Sequence, residues 1–221
     1  MDRNGKILNM RSFYVRGGTN MYLYIMRHGE TEDNTKRILQ GQKNNPLNNQ
    51  GKKQALEARE QLKDIVFDKI YVSPLIRAIE TAELVTGRKK EEFIVENRII
   101  EIGFGALEGT PSDKMEPPYN NFFKAPTCYP APEGGESLEE LSRRTWSFLE
   151  EIKGKFNGKK ILVVSHGAAI HSMVYQIKKQ SMEQFWDMKL GNCGIVEISD
   201  ESGEYEIIKE CQKRDTHYTR F

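Results

Sequence analysis

Five residues of this 221-residue chain could do chemistry together: Arg27, His28, Arg77, Glu101 and His166. Each follows, or nearly follows, a segment that reads as a β-strand, so stretches far apart in sequence would present them at one end of a sheet. Two arginines offer bidentate donors to phosphate oxygens. Two histidines beside two arginines resist protonation, which leaves an imidazole nitrogen free to attack. A carboxyl group beside a phosphate dianion resists ionising and can give its proton to a leaving alkoxide. Nucleophile, clamp and acid together describe phosphoryl transfer through a covalent phosphohistidine, without a metal.

The elements that would position these groups are legible as patterns. The run Tyr-Leu-Tyr-Ile-Met at 22–26 has the length and composition of a buried strand and stops at Arg27-His28-Gly29, where the glycine lets the backbone approach a bound group closely. Apolar residues at Ala55, Ala58, Leu62 and Ile65 recur at helical spacing, and 69–72 reads as a second strand. Ser73-Pro74 then reads as an N-cap with proline at the first helical position, which puts Arg77 in the first turn of a helix that stops at Gly87. A weaker strand at 92–95 precedes Glu101. Ser137 with Glu140 forms a capping box ahead of Leu138, Leu141, Phe148 or Leu149, and Ile152, an amphipathic helix. The clearest buried strand, 160–165, runs straight into His166-Gly167-Ala168-Ala169, the opening of another helix. Two last strands, 194–199 and 205–211, read as an antiparallel hairpin at the sheet edge. This alternation predicts a largely parallel sheet with helices on both faces.

Two stretches fall outside that alternation. Residues 30–49 form a long polar loop of the kind that carries function. Residues 106–136 hold six of the eight prolines and four aromatics, Tyr119, Phe122, Phe123 and Tyr129, and read as a cap over the strand ends that exits at Gly134-Gly135. Those aromatics would form the cap's own small core or touch substrate. Residues 1–20 are treated as an N-terminal extension, leaving 21–221 as one domain.

The motifs Arg27-His28-Gly29-Glu30-Thr31 with Asn34, Arg37, Gln40 and Gly41, then Ser73-Pro74-Leu75-Ile76-Arg77-Ala78, then Glu101 ahead of Phe104-Gly105-Ala106-Leu107-Glu108-Gly109, then Ser165-His166-Gly167, closely resemble the histidine phosphatase (phosphoglycerate mutase-like) superfamily. The resemblance implies a three-layer α/β/α sandwich with a mixed, mostly parallel sheet and an inserted cap. It implies His28 as the phosphorylated nucleophile and Glu101 as proton donor. Arg27, Arg77 and His166 would form the phosphate pocket, Asn34 and Gln40 would add neutral donors, and Gly41 and Gly167 would line it. No cofactor or metal is implied. Between the phosphatase and mutase branches, residues 106–136 decide: two lysines against five acids make a poor host for a second phosphate. Phosphomonoester hydrolysis is the expectation; mutase-type transfer, and a weakly catalytic protein that only binds a phosphorylated ligand, are the alternatives.

Composition excludes other classes. A net charge of +1 gives no field for nucleic acid or an anionic membrane, and no apolar run is long enough for a spanning helix or a signal peptide. The expectation is a cytoplasmic enzyme whose partner is a small phosphomonoester; nothing in the sequence sets an oligomeric state. Cys128, Cys193 and Cys211 lack metal-ligand spacing and suit packing thiols. His171, five residues after His166, is off that residue's helix face and reads as structural, and His217 as part of a frayed tail. The glycines and lysines at 154–160 miss the spacing of a phosphate loop.

Overall fold

A computed structural model describes residues 20–200 and 203–211. The expected extension, apart from Asn20, and the tail with His217 lie outside the described residues. Among the described residues six strands form one sheet: β1 (Tyr22–Arg27), β2 (Lys69–Val72), β3 (Ile94–Val95), β4 (Lys160–Ser165), β5 (Ile195–Ser199) and β6 (Glu206–Lys209). Their order is β3-β2-β4-β1-β5-β6. The first four pair in parallel, and the β5–β6 hairpin adds antiparallel to β1 at the edge, as the patterning indicates.

Side chains alternate across a strand, so each central strand feeds two cores. On one face Leu23, Ile25, Ile161, Val163, Val196 and Ile198 pack against helices α5 (Leu138–Ile152) and α6 (Gly167–Ile177). On the other, Tyr24, Met26, Ile70, Val72, Leu162 and Val164 pack against α2 (Asn49–Leu62), which follows the four-residue α1 (Glu32–Thr35) of the polar loop, and α3 (Ile76–Thr86). Strands covered on both sides read as unbroken apolar runs, which is why 160–165 stands out in the sequence.

The helix ends follow their caps. Ser137 Oγ accepts from the Glu140 amide at 3.1 Å and the Glu140 carboxylate accepts from the Ser137 amide at 2.9 Å, the expected capping box. Gly87 closes α3 with a φ of 71°. The start of α3 differs from expectation: the helix begins at Ile76, its N-cap residue is Leu75, and Ser73 does not cap it. The Ile76 amide donates instead to Asn44 Oδ1 at 2.7 Å, a cap supplied by the polar loop, and the serine side chain is engaged elsewhere. The third strand is also shorter than read, because residues 90–92 turn as a 3₁₀ helix before Ile94.

Residues 106–136 contain no strand of the sheet, one short α-helix, α4 (Asn121–Lys124), and 3₁₀ turns at Ser112–Lys114 and Pro126–Cys128. Phe122 sits at their centre, its ring edge-to-face with Phe104, Phe123, Tyr129 and Trp186 at centroid separations of 4.9, 4.8, 4.9 and 5.0 Å. Together with Leu39, Ile102, Leu138, Leu141, Ala168, Ala169 and Phe185 these residues build a third core over the first turn of α6. Phe122 and Tyr129 are therefore packing residues, while Tyr119 and Phe123 remain half-buried.

Candidate active site

Strand register brings the chemistry together. Arg27 is the partner of Ser165 across β1 and β4, and Val72 is the partner of Val164 across β2 and β4, so the three strands end level. The His28 amide donates to the Ser165 carbonyl and the Ser73 amide to the Val164 carbonyl, each at 3.0 Å, which carries the register one residue past the strands. His28 and His166 thus leave the sheet side by side, their ring centroids 5.1 Å apart.

His28 is buried, and its Nδ1 lies 2.6 Å from the Gly29 carbonyl. A carbonyl only accepts, so Nδ1 carries the hydrogen and Nε2 keeps its lone pair. Burial, with Arg77 and Arg27 adding to it, holds this imidazole well below the ordinary histidine range, so it is neutral at pH 7. Its backbone is gripped by a segment that the sequence did not single out. The Asn192 amide donates from Nδ2 to the His28 carbonyl at 3.0 Å, and the Cys193 N–H reaches the Arg27 and His28 carbonyls at 3.1 and 3.3 Å. The signal for it is faint: a short polar turn before a strand.

Both arginines are buried and fixed by backbone carbonyls. Arg27 Nη1 donates to the Leu190 carbonyl at 2.9 Å. Arg77 Nη1 and Nη2 donate to the Lys43 and Gly41 carbonyls at 2.6 and 2.8 Å, which ties the polar loop to α3. Burial lowers the Arg77 guanidinium to about 10, still charged at pH 7. Gly41 sustains this contact with a φ of 51°, where a Cβ would lie 2.1 Å from Glu108 Oε1. Its place is to hold Arg77. Two buried nitrogens of this cluster, Arg77 Nε and His166 Nδ1, make no hydrogen bond among the described residues.

Glu101 does not follow a strand directly; a 3₁₀ turn at Asn97–Ile99 carries it from β3 to the start of α6. There its carboxylate accepts from the Ala168 and Ala169 amides at 3.3 and 3.1 Å and from the Ile102 amide at 3.0 Å. It does the capping that His166, the N-cap residue, does not. Gly167 sits where acid and clamp converge: a Cβ there would lie 3.6 Å from Glu101 Oε2 and 3.8 Å from Arg27 Nε. His166 itself is fully buried and held well below the ordinary histidine range by burial first and then by Arg77. Its Nε2 lies 2.6 Å from Ser73 Oγ.

The remaining expected donors stand around Thr31. Asn34 Oδ1 accepts from the Thr31 amide at 3.0 Å, and Gln40 Oε1 accepts from Thr31 Oγ1 at 2.9 Å. At Gly29 a Cβ would lie 2.6 Å from the Gly51 carbonyl, so the residue also permits close packing against α2. His171 is the structural residue expected, buried with Nδ1 3.1 Å from the Phe185 carbonyl and lowered to about 3 by burial. Among the described residues no helix is long and apolar enough to cross a membrane.

Comparison with known proteins adds the following. Residues 23–211 match the model of the histidine phosphatase superfamily (branch 1). A protein of Hydrogenobacter thermophilus named "Putative phosphoserine phosphatase 2" is 34% identical over 200 residues, covering 87% of this chain and 97% of the relative. Among solved structures, a variant phosphoserine phosphatase from Entamoeba histolytica in complex with phosphoserine superposes with a TM-score of 0.79 at 29% identity, over 90% of this chain and all (100%) of that one. The same organism's enzyme in complex with 3-phosphoglyceric acid gives 0.78 at 30% identity, over 89% and 98%.

Proposed function

Because the chain belongs to the histidine phosphatase superfamily, we propose that it hydrolyses small phosphomonoesters through a phosphohistidine formed on Nε2 of His28. The observation that carries this reading is the tautomer of His28: Nδ1 is spent on Gly29, and the opposite nitrogen is unprotonated in a pocket bounded by two guanidinium groups. In the first step Nε2 attacks phosphorus, the bond to the ester oxygen breaks, and Glu101 gives that oxygen its proton. In the second a water loses a proton to the Glu101 carboxylate and attacks phosphorus; the P–N bond breaks and orthophosphate leaves. Arg27 and Arg77 hold the equatorial oxygens throughout, and the unsatisfied N–H of Arg77 Nε matches an anionic acceptor. No step calls on a cofactor or metal.

Residues 106–136 act as a cap over this pocket, and their acid excess favours hydrolysis over retention of a second phosphate. The relatives named for phosphoserine make a three-carbon phosphomonoester the first substrate to assay. Purified protein is expected to release phosphate from phosphoserine and from p-nitrophenyl phosphate. Mutase activity on 3-phosphoglycerate exceeding hydrolysis would overturn the choice of branch.

A further inference from the structure

We propose that Ser73 is a positioning residue: its hydroxyl donates to His166 Nε2 and thereby fixes His166 as the tautomer whose Nδ1–H faces the phosphoryl group. This rests on the phosphatase reading for its consequence, but not for its geometry.

The argument is one of hydrogen-bond satisfaction. Ser73 is fully buried, and its Oγ lies 2.6 Å from His166 Nε2 and 3.4 Å from the Leu75 amide. The Leu75 N–H can only donate, so Oγ is its acceptor, and the serine hydrogen needs an acceptor of its own. Among the described residues His166 Nε2 is the one atom placed to take it. Were Nε2 the protonated nitrogen, two hydrogens would point at each other's heavy atoms or the hydroxyl hydrogen would be buried without a partner. With Nε2 accepting, a neutral imidazole must carry its hydrogen on Nδ1. That is the His166 nitrogen which makes no hydrogen bond among the described residues. The serine also sits where sheet register demands a rigid support, its amide bonded to the Val164 carbonyl at 3.0 Å, one strand away from His28.

The consequence is a division of labour between two neutral histidines. His28, with Nδ1–H on the Gly29 carbonyl, offers a lone pair at Nε2; His166, with Nε2 on Ser73, offers a hydrogen at Nδ1. One ring attacks and the other donates, although they share a pocket and both are buried.

The test reads the tautomer in the ligand-free, full-length protein by long-range ¹H–¹⁵N correlation, in which the protonated and bare ring nitrogens of a neutral histidine are separately resolved. Four histidines in the chain keep the assignment tractable. The wild type is expected to show His166 as the Nδ1–H form. In Ser73→Ala the His166 signals are expected to move toward a mixture of both forms while those of His28 and His171 stay put. An Nε2–H form in the wild type, or an unchanged His166 in Ser73→Ala, would overturn the proposal whatever the activity. With p-nitrophenyl phosphate, kcat/KM is expected to fall roughly 10- to 100-fold in Ser73→Ala, the cost of leaving one buried partner unsatisfied, and to recover in part in Ser73→Thr, which restores the hydroxyl. A wild type with the expected tautomer and no phosphatase activity would refute the function while leaving the Ser73 assignment standing.

Discussion

Arg27 and Ser165 are register partners across β1 and β4, and that pairing alone places His28 and His166 5.1 Å apart although 138 positions separate them in the chain. A one-residue slip would send every side chain of β1 to the opposite face, so the site is held in place by the same core that specifies the strand.

Glu101 stands on the first turn of α6, where a carboxylate is both a cap and a proton carrier. Glu101→Gln keeps a carbonyl oxygen for one of the helix amides but has no proton to give. Its kcat is expected to drop by roughly 10²- to 10⁴-fold on an alkyl phosphate and by clearly less on p-nitrophenyl phosphate, whose leaving group needs little protonation. Equal losses on both substrates would assign the carboxylate to structure alone.

Gly41 joins the polar loop to Arg77 through a backbone that only glycine adopts easily. Gly41→Ala is expected to cost about 1–2 kcal/mol from the positive φ, plus the displacement of Glu108. Because the guanidinium shifts with the loop, kcat/KM is expected to fall about 10²-fold, the usual consequence of misplacing a clamp. Steady-state kinetics beside denaturant unfolding separates the two effects.

Much of this arrangement is legible in the sequence, and the exceptions have physical causes. The strands announce themselves because parallel strands buried on both faces must be apolar throughout, and the chemistry sits at their ends. Ser73 is misread as a helix cap because Ser-Pro before an apolar run is the pattern of a cap; the loop residue that takes over the task, Asn44, is 29 positions away in sequence and leaves no local trace. Asn192 is missed for the same reason, since its partner is the carbonyl of His28, just past the end of β1 and 164 positions away. Long-range polar contacts of this kind obey no periodicity. The aromatics of residues 106–136 carry a clear sign of packing, but which core they join is set by tertiary contact with α6 and Trp186.

Buried neutral histidines make stability depend on pH. His28, His166 and His171 all have folded pKa values below the ordinary 6.5, so below that pH the unfolded chain takes up protons that the folded chain refuses. Their contribution is complete above about 6.5 and is lost as pH falls, at up to about 1.4 kcal/mol per pH unit for each ring. For His171, lowered to about 3, the window runs from the ordinary value down to that figure. His171→Gln is expected to make the acid limb of the unfolding free energy shallower by about one proton, as read from denaturant melts between pH 7 and 4.

The side chains of the capping box at α5, Ser137 and Glu140, bond only to each other's amides among the described residues, and the pair serves as a control. Ser137→Ala is expected to cost about 1 kcal/mol in chemical unfolding and to leave kcat and KM unchanged.

The central claim is that a phosphoryl group passes through His28 Nε2, and rapid acid-free quenching of the enzyme during turnover of ³²P-labelled substrate tests it most directly. The account predicts one acid-labile, base-stable phosphoryl group, mapped to His28 at Nε2 and absent from His28→Ala. Turnover without any labelled protein, or label that persists in His28→Ala, would contradict it.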